Sequence, residues 1–206
     1  MGLEIASNKL SELRKESASE LEKLITEQLS QLNFGEAAFA VDFKKNVNSS
    51  GSVQFTPEGT DVVEFLITTN RGEPLKPLSK IASGGEMSRI MLAFKKIIGD
   101  YDHIPTMIFD EIDSGISGIA ASVVGRKLCE IAKRHQIICI THLPQIAAYG
   151  TSNYRIWKHS DDIMTYTSVD PLTPDEKIHE IARLLGGENI TETTLASARE
   201  LIEASR

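Results

Sequence analysis

The sequence predicts an α/β fold, and three observations support that prediction. Short apolar runs at 106–109 and 136–140 are typical of strands buried in a parallel sheet. Residues 117–134, between them, have the periodicity of a helix, which predicts a β-α-β unit with a right-handed crossover. A chain of 206 residues with 41% hydrophobic and 25% charged residues has room for one globular domain carrying at most one protruding element.

Residues 1–34 are predicted to form one long helix, because they are rich in Glu, Lys, Leu and Gln and contain no proline. Their apolar positions recur at spacings near three and four; they are Leu10, Leu13, Leu21, Leu24, Ile25, Leu29 and Leu32. Such a stripe is typical of a coiled-coil arm, although Ser17 interrupts it. A surface helix packed on its own domain fits the pattern nearly as well.

The segment after this helix alternates in hydropathy. Residues 36–43 and 61–69 carry β-formers on alternate positions and predict an antiparallel hairpin. We expect a polar loop at 71–80, followed by a helix that begins after Ser83 and ends at Gly99.

The C-terminal third contains weaker patterns. Residues 153–157 and 163–169 are predicted strands separated by a turn at 159–162. Helices are expected at 174–185 and 191–204. Together with the β-α-β unit, these elements complete a mixed α/β chain.

Charge and cysteine content exclude several classes of protein. The net charge of −7 argues against a surface that binds nucleic acid throughout, while leaving room for a local basic patch. Cys129 and Cys139 lack the spacing of a zinc site, so we expect two buried, reduced thiols. No apolar run is long enough for a membrane span and the N-terminus lacks a secretory signal, so we predict a cytoplasmic protein.

Polar residues follow both predicted strands of the β-α-β unit. Asp110 and Glu111 come directly after the first strand, and Thr141 and His142 directly after the second. Parallel strands bring these groups to one edge of the sheet, where ligands bind. An Asp that holds Mg²⁺ and a Glu that activates water have this arrangement in a Walker B segment. The pair could instead face solvent, and His142 could be a hydrogen-bonded histidine at the edge of the core.

The residues Ser83, Gly84, Gly85 and Glu86 form a second candidate site. Ser followed three residues later by Glu is a capping box, which would start a helix whatever its function. Two glycines in a first helical turn cost roughly 1 kcal/mol each relative to alanine. Because bare backbone lets an anion approach the helix N-terminus, we predict a phosphate-binding site here.

These motifs, in this order, resemble the signature motif, Walker B segment and switch histidine of ATP-binding-cassette ATPases. Transporters of this class usually have Gln at the position of Glu86. Glu at this position resembles the chromosome-maintenance and DNA-repair branch of these ATPases. Residues 79–150 and 182–202 resemble the RecN family of bacterial DNA repair proteins.

The resemblance implies a fold and a set of roles. The chain would be the C-terminal half of a P-loop NTPase head of ABC or SMC type, with 1–34 as the base of a coiled-coil arm and 35–206 as the C-terminal lobe. Its cofactors would be ATP and Mg²⁺. The implied roles are Mg²⁺ binding by Asp110, general base for Glu111, γ-phosphate sensing by His142, and binding of nucleotide on an opposing head by Ser83, Gly84, Gly85 and Glu86.

The resemblance also implies a D-loop at 112–117, which crosses the interface between two heads. Many relatives have Asp where this chain has Ser117, and the resemblance implies that Ser117 is a cofactor-binding residue in this loop. The alternative for Ser117 is a cap for the helix that follows.

No Gly-x-x-x-x-Gly-Lys-Ser/Thr segment occurs in the sequence. The implied partners are therefore an N-terminal half of the same head, a second head in an ATP-dependent dimer, and DNA, without a membrane. The implied function is ATP hydrolysis coupled to DNA binding in double-strand break repair and recombination, near the nucleoid. Two alternatives stay open: a self-sufficient Mg²⁺ phosphohydrolase or nuclease using Asp110, Glu111 and Asp113, and a non-catalytic interaction half.

Overall fold

A computed structural model describes residues 2–70, 72–81, 83–99, 101, 104–160 and 164–205. Helices and sheets alternate along the chain, so the predicted α/β class is confirmed. The chain forms two compact units, Met1–Ile98 and Gly99–Arg206, and each is described by itself below. The division into an arm base at 1–34 and a lobe at 35–206 stays a prediction.

The first unit opens with the predicted long helix, α1 (Gly2–Gln31). Its C-terminal half packs on its own unit, where Ile25 and Leu29 are fully buried against neighbouring elements. Leu13, by contrast, is 52% exposed. The apolar stripe therefore packs locally in the C-terminal half of α1, as expected of a surface helix. In the N-terminal half it leaves apolar side chains exposed to solvent.

The predicted hairpin is present as strands β1 (Ala38–Lys45) and β2 (Asp61–Thr68), which pair antiparallel. The prediction of a loop throughout 71–80 is wrong at its centre. A two-residue strand, β3 (Lys76–Pro77), pairs with β2, and a 3-10 turn (Leu78–Lys80) follows. Proline has no N–H to donate, so this strand fits only at the edge of a sheet. Arg71 lies outside the described residues.

Helix α2 (Gly84–Ile98) carries the predicted phosphate-binding motif at its start and ends before Gly99 as expected. An aromatic cluster holds it against the hairpin. The ring of Phe39 on β1 lies edge-on to Phe94 on α2, with 5.3 Å between centroids, and to Phe65 on β2 at 5.4 Å. Such pairs add to the free energy of burial, so the hairpin fixes the position of α2.

A buried carboxylate fastens α1 to the same hairpin. The side chain of Asp61 is 2% exposed and accepts hydrogen bonds from Ser11 on α1 and from Lys45 on β1, both at 2.9 Å. Arg14 lies 3.5 Å away. Burial alone would raise the pKa of Asp61, but the hydrogen bonds from Lys45 and Ser11 and the nearby positive charges hold it below its ordinary value.

We expect Asp61→Asn to lower the free energy of unfolding by about 1–3 kcal/mol at neutral pH, because the buried ion pair is broken. The folded-state pKa of Asp61 lies below the unfolded value of about 3.9. Its contribution is therefore complete above that value and disappears as the pH falls through the folded-state pKa. Urea unfolding from pH 7 to pH 3 measures the effect. Asp42→Asn, which removes the exposed pair with Lys44, is the control and should leave the free energy of unfolding nearly unchanged.

The second unit contains the predicted β-α-β unit, made of β4 (Thr106–Phe109), α3 (Gly118–Ile131) and β5 (Gln136–Cys139). The two strands are parallel, with Thr106 opposite Gln136. Met107 and Phe109 are buried, whereas Ile108 and Ile138 are 67% and 45% exposed. One face of this sheet is thus covered and the other is apolar and open.

The remaining elements are a short helix that was not predicted, α4 (Pro144–Ala147), the antiparallel strands β6 (Tyr154–Ser160) and β7 (Thr165–Pro171), and helices α5 (Pro174–Gly186) and α6 (Glu192–Ala204). Strand β6 covers the first part of the predicted turn, and 161–163 lie outside the described residues. Residues of α4, α5 and α6 bury a small apolar core. Within the described part of the chain, no helix combines the length and the apolar character that a membrane span needs.

Candidate functional site

The two parallel strands end at the same edge of the sheet. Phe109 lies opposite Cys139, and the N–H of Ile140 donates to the carbonyl of Phe109 at 3.0 Å. The chain then leaves β4 through Asp110 and β5 through Thr141. The segments that follow the two strands are therefore neighbours, as the β-α-β prediction requires.

The acidic pair after β4 sits on a tight turn. Glu111 has φ 55°, a left-handed backbone conformation that residues other than glycine rarely adopt. Its N–H donates to Asp110 Oδ1 at 2.9 Å, and its carbonyl accepts from the N–H of Ser114 at 3.0 Å. Both Asp110 and Glu111 are exposed. The turn leaves these two carboxylates at the surface, and the next two residues, Ile112 and Asp113, are buried.

The carboxylate of Asp113 is buried, with 5% of the side chain exposed. Its Oδ2 is contacted by three groups at the end of β5: the hydroxyl of Thr141 at 2.6 Å, the backbone N–H of His142 at 2.8 Å and Nδ1 of His142 at 3.0 Å. From the sequence, Asp113 was expected in the D-loop segment and in the alternative metal-dependent site, and these contacts were not predicted. No pattern in the sequence separates a buried Asp from an exposed one at this position.

Thr141 continues the same network into the next helix. Its hydroxyl accepts from the N–H of Leu143 at 3.0 Å, directly before α4. His142 itself has 74% of its side chain exposed, which counts against the alternative of a hydrogen-bonded histidine at the edge of the core. Asp113, two residues after Glu111 in sequence, therefore joins the end of β5 to the turn that follows β4.

The described residues contain no group of three His, Cys, Asp or Glu side chains placed to hold a metal. Asp113 is turned inward and engaged by Thr141 and His142, which counts against the alternative in which Asp110, Glu111 and Asp113 form one metal centre. Mg²⁺ commonly uses one or two protein carboxylates and takes its other ligands from phosphates and water. The exposed carboxylate of Asp110 fits that kind of site.

Cys139 lies at the end of β5, close to these carboxylates. Burial, together with the negative charges of Asp113 and Asp110, raises the pKa of its thiol to about 12. A thiol with a raised pKa is mostly protonated at neutral pH, which disfavours a role as a nucleophile. Both cysteines are free as predicted, although they are half-buried rather than buried.

The motif at the start of α2 belongs to the first unit. The N–H of Glu86 donates to Ser83 Oγ at 3.4 Å, and the N–H of Met87 donates to the Ser83 carbonyl at 3.0 Å. Ser83 and Gly84 are exposed, while Gly85 is buried. Ser83 therefore caps the helix, and the helix N-terminus is open to an anion from solvent. Ala82 lies outside the described residues.

Ser117 occupies the position before α3, with φ −158° and ψ 172°. Its side chain makes no hydrogen bond to the first turn of that helix, so the interpretation of Ser117 as a side-chain cap is wrong. Ser117 is exposed, as is Gly118, which follows it with φ 53°.

The chain is similar over nearly its whole length to proteins described as DNA repair protein RecN. The relative from Vibrio cholerae is 42% identical over 97% of this chain, and that from Bacillus subtilis is 40% identical over 94%. The chain spans only 35% of the length of each of these relatives. The resemblance inferred from the motifs is thereby confirmed. No family model matches the chain.

Solved structures show the same fold. The Smc head domain with a coiled coil and joint from Pyrococcus yayanosii superposes with a TM-score of 0.54 at 20% identity, covering 82% of this chain and 29% of that one. The Smc head domain from Pyrococcus furiosus with an extended coiled coil gives 0.52 at 22% identity, covering 83% and 39%. The fold is that of part of an SMC-type head.

Proposed function

We propose that this chain is the C-terminal part of an SMC-like, ABC-type ATPase head of the RecN kind, acting in DNA double-strand break repair and recombination. The observation that carries the proposal is the shared edge of β4 and β5. An exposed Asp-Glu pair follows one strand, an exposed histidine follows the other, and the buried carboxylate of Asp113, in the turn after β4, contacts that histidine. The 42% identity to a DNA repair protein supports the biological setting, in the cytoplasm at the nucleoid.

The residues at this edge would divide the work of hydrolysis. Asp110 would hold the Mg²⁺ that accompanies ATP, and that ion supplies neutralisation of phosphate charge. Glu111 would accept a proton from the attacking water. Its carboxylate is exposed, and it follows Asp110, the proposed Mg²⁺ ligand, by one residue. His142 would contact the terminal phosphate through Nε2, since Nδ1 already lies against Asp113.

The start of α2 would serve a second head. Backbone N–H groups at Gly84 and Gly85 would receive the γ-phosphate of ATP held by the opposing molecule, with Ser83 and Glu86 framing that contact. Ser117 would lie at the interface between the heads. ATP binding would then join two heads and hydrolysis would release them, in a cycle coupled to DNA binding.

A phosphate loop with its lysine would come from an N-terminal half of the same head. The sheet of β4 and β5 has an open apolar face, on which Ile108 and Ile138 are 67% and 45% exposed, and Ile140, directly after β5, is 45% exposed. This face supports the proposal that an N-terminal half covers it. Two-stranded parallel sheets with one bare face are unusual, because both faces of parallel sheets are normally packed.

We expect the 206-residue chain alone to bind ATP weakly and to hydrolyse none, because it would supply the signature and Walker B groups without the phosphate loop. Co-expression with the preceding part of the same reading frame should give a complex with Mg²⁺-dependent ATPase activity. Calorimetric titration of ATP and a phosphate-release assay measure both states.

The matched control is the complex carrying Asp110→Asn, which should assemble and lose activity. Turnover by the isolated chain with micromolar ATP affinity would contradict the proposal. So would an assembled complex in which Asp110→Asn hydrolyses ATP at the unmodified rate.

A further inference from the structure

We propose that Asp113 is a positioning residue that fixes the imidazole of His142 in one orientation and one tautomer. The inference rests on the proposed function for the ligand that His142 meets, whereas the contacts themselves belong to this chain. Asp113 lies 29 residues before His142 in sequence, on the turn that follows Glu111.

The first step of the argument is the convergence on one atom. Oδ2 of Asp113 faces both the backbone N–H of His142, at 2.8 Å, and the ring atom Nδ1, at 3.0 Å. Two contacts from one buried oxygen to the main chain and the ring of the same residue leave the side chain of His142 little freedom of rotation. The hydroxyl of Thr141, at 2.6 Å from the same oxygen, holds the carboxylate in place.

The second step concerns the proton on the ring. Nδ1 lies 3.0 Å from Oδ2 as an ion-pair contact, and a carboxylate has no hydrogen to donate, so this contact favours a proton on Nδ1. Nε2 is then the nitrogen that remains for a ligand, and 74% of the His142 side chain is exposed. Partners of this kind set the tautomer and ring orientation of histidines at metal sites and in hydrolases.

The third step concerns the segment on which Asp113 lies. The left-handed residue Glu111 and the buried Asp113 belong to one turn, closed by the hydrogen bond from Ser114 to the Glu111 carbonyl. The placement of the exposed carboxylate of Glu111 and the orientation of His142 are therefore set by the same few residues. Asp113 acts through His142 and is not itself in contact with the reacting atoms.

The tautomer provides a test that does not depend on ATPase activity. We expect long-range proton–nitrogen NMR of the chain with ¹⁵N-labelled histidine to show His142 protonated on Nδ1 when neutral. His142→Gln identifies the signal, and the sequence has only five histidines. In Asp113→Ala we expect most of the His142 population to change to the Nε2–H tautomer.

His135 is the internal control for this measurement. Its Nδ1 lies 2.8 Å from the carbonyl oxygen of Ile104, an obligate acceptor, and that contact is untouched by the substitution at Asp113. His135 should keep its Nδ1–H tautomer in both proteins. An Nε2–H tautomer for His142 in the unmodified chain would overturn the proposal without any variant, as would a His142 signal that Asp113→Ala leaves unchanged.

Kinetics of the co-expressed head give the second readout. We expect Asp113→Ala to lower kcat by about 10- to 100-fold, the range typical of lost carboxylate partners of functional histidines. The double variant with His142→Ala should be no slower than His142→Ala alone, because Asp113 would act only through that ring. Glu200→Gln, at an exposed position on α6 and outside this contact, should leave kcat unchanged.

Additive losses in the double variant would overturn the positioning role. Suppose instead that His142→Ala keeps full activity while the unmodified chain shows the expected tautomer. That result would contradict the role given to His142 in hydrolysis and leave the contact with Asp113 supported. The two failures are therefore distinguishable.

Discussion

Replacing Glu111 by Gln in the complete head should lower the rate of ATP hydrolysis by about 10²–10⁴-fold while leaving ATP binding within a few-fold of its original strength. Gln has the shape of Glu but cannot accept a proton from the attacking water. The backbone N–H of residue 111 would still donate to Asp110, so the turn after β4 should persist. Single-turnover phosphate release and calorimetric titration of ATP separate the two effects.

The control for this substitution is Glu200→Gln on α6, which makes the same change of charge at an exposed position. It should leave both ATP binding and hydrolysis unchanged. A Glu111→Gln head that turns over ATP at the unmodified rate would remove Glu111 from the reaction. A head that no longer binds ATP would assign Glu111 to nucleotide binding.

The regular elements of the fold could be predicted because their signals are local. The period of α1, the alternation of β1 and β2, and the apolar runs of β4 and β5 are all set by neighbours in sequence. The edge strand β3 could not be predicted, because it consists only of Lys76 and Pro77, which are not β-formers. These two residues are ordered by pairing with β2. Helix α4, a single turn, is too short for any period to appear.

The site was only partly predictable for a related reason. The β-α-β pattern is enough to bring Asp110, Glu111 and His142 to one edge of a sheet. The burial of Asp113 depends on contacts across 28 and 29 residues, formed only when β4 and β5 pair. Sequence therefore indicates the groups that could carry the chemistry, while the contacts that orient His142 come from tertiary structure.

Replacing Ser83 by Arg should abolish ATP-driven pairing of heads while leaving ATP binding within each head intact. Ser83 is exposed directly before α2, so a guanidinium there would occupy the approach to the helix N-terminus that the γ-phosphate of an opposing head would use. In a head made hydrolysis-deficient by Glu111→Gln, we expect sedimentation velocity with ATP to give a dimer, and the additional Ser83→Arg change to give a monomer at any accessible ATP concentration.

Two further variants separate blocked access from a damaged helix. Ser83→Ala removes the hydrogen bond to the N–H of Glu86, as Arg does, at a cost of about 0.5–2 kcal/mol, and should still dimerise because the approach stays open. Ser83→Asp keeps a capping oxygen but places a negative charge next to the incoming phosphate. It should therefore block the pairing of heads while α2 stays fully stable. Dimers that form equally well with Arg and Asp at position 83 would show that the opposing nucleotide does not bind at this helix terminus.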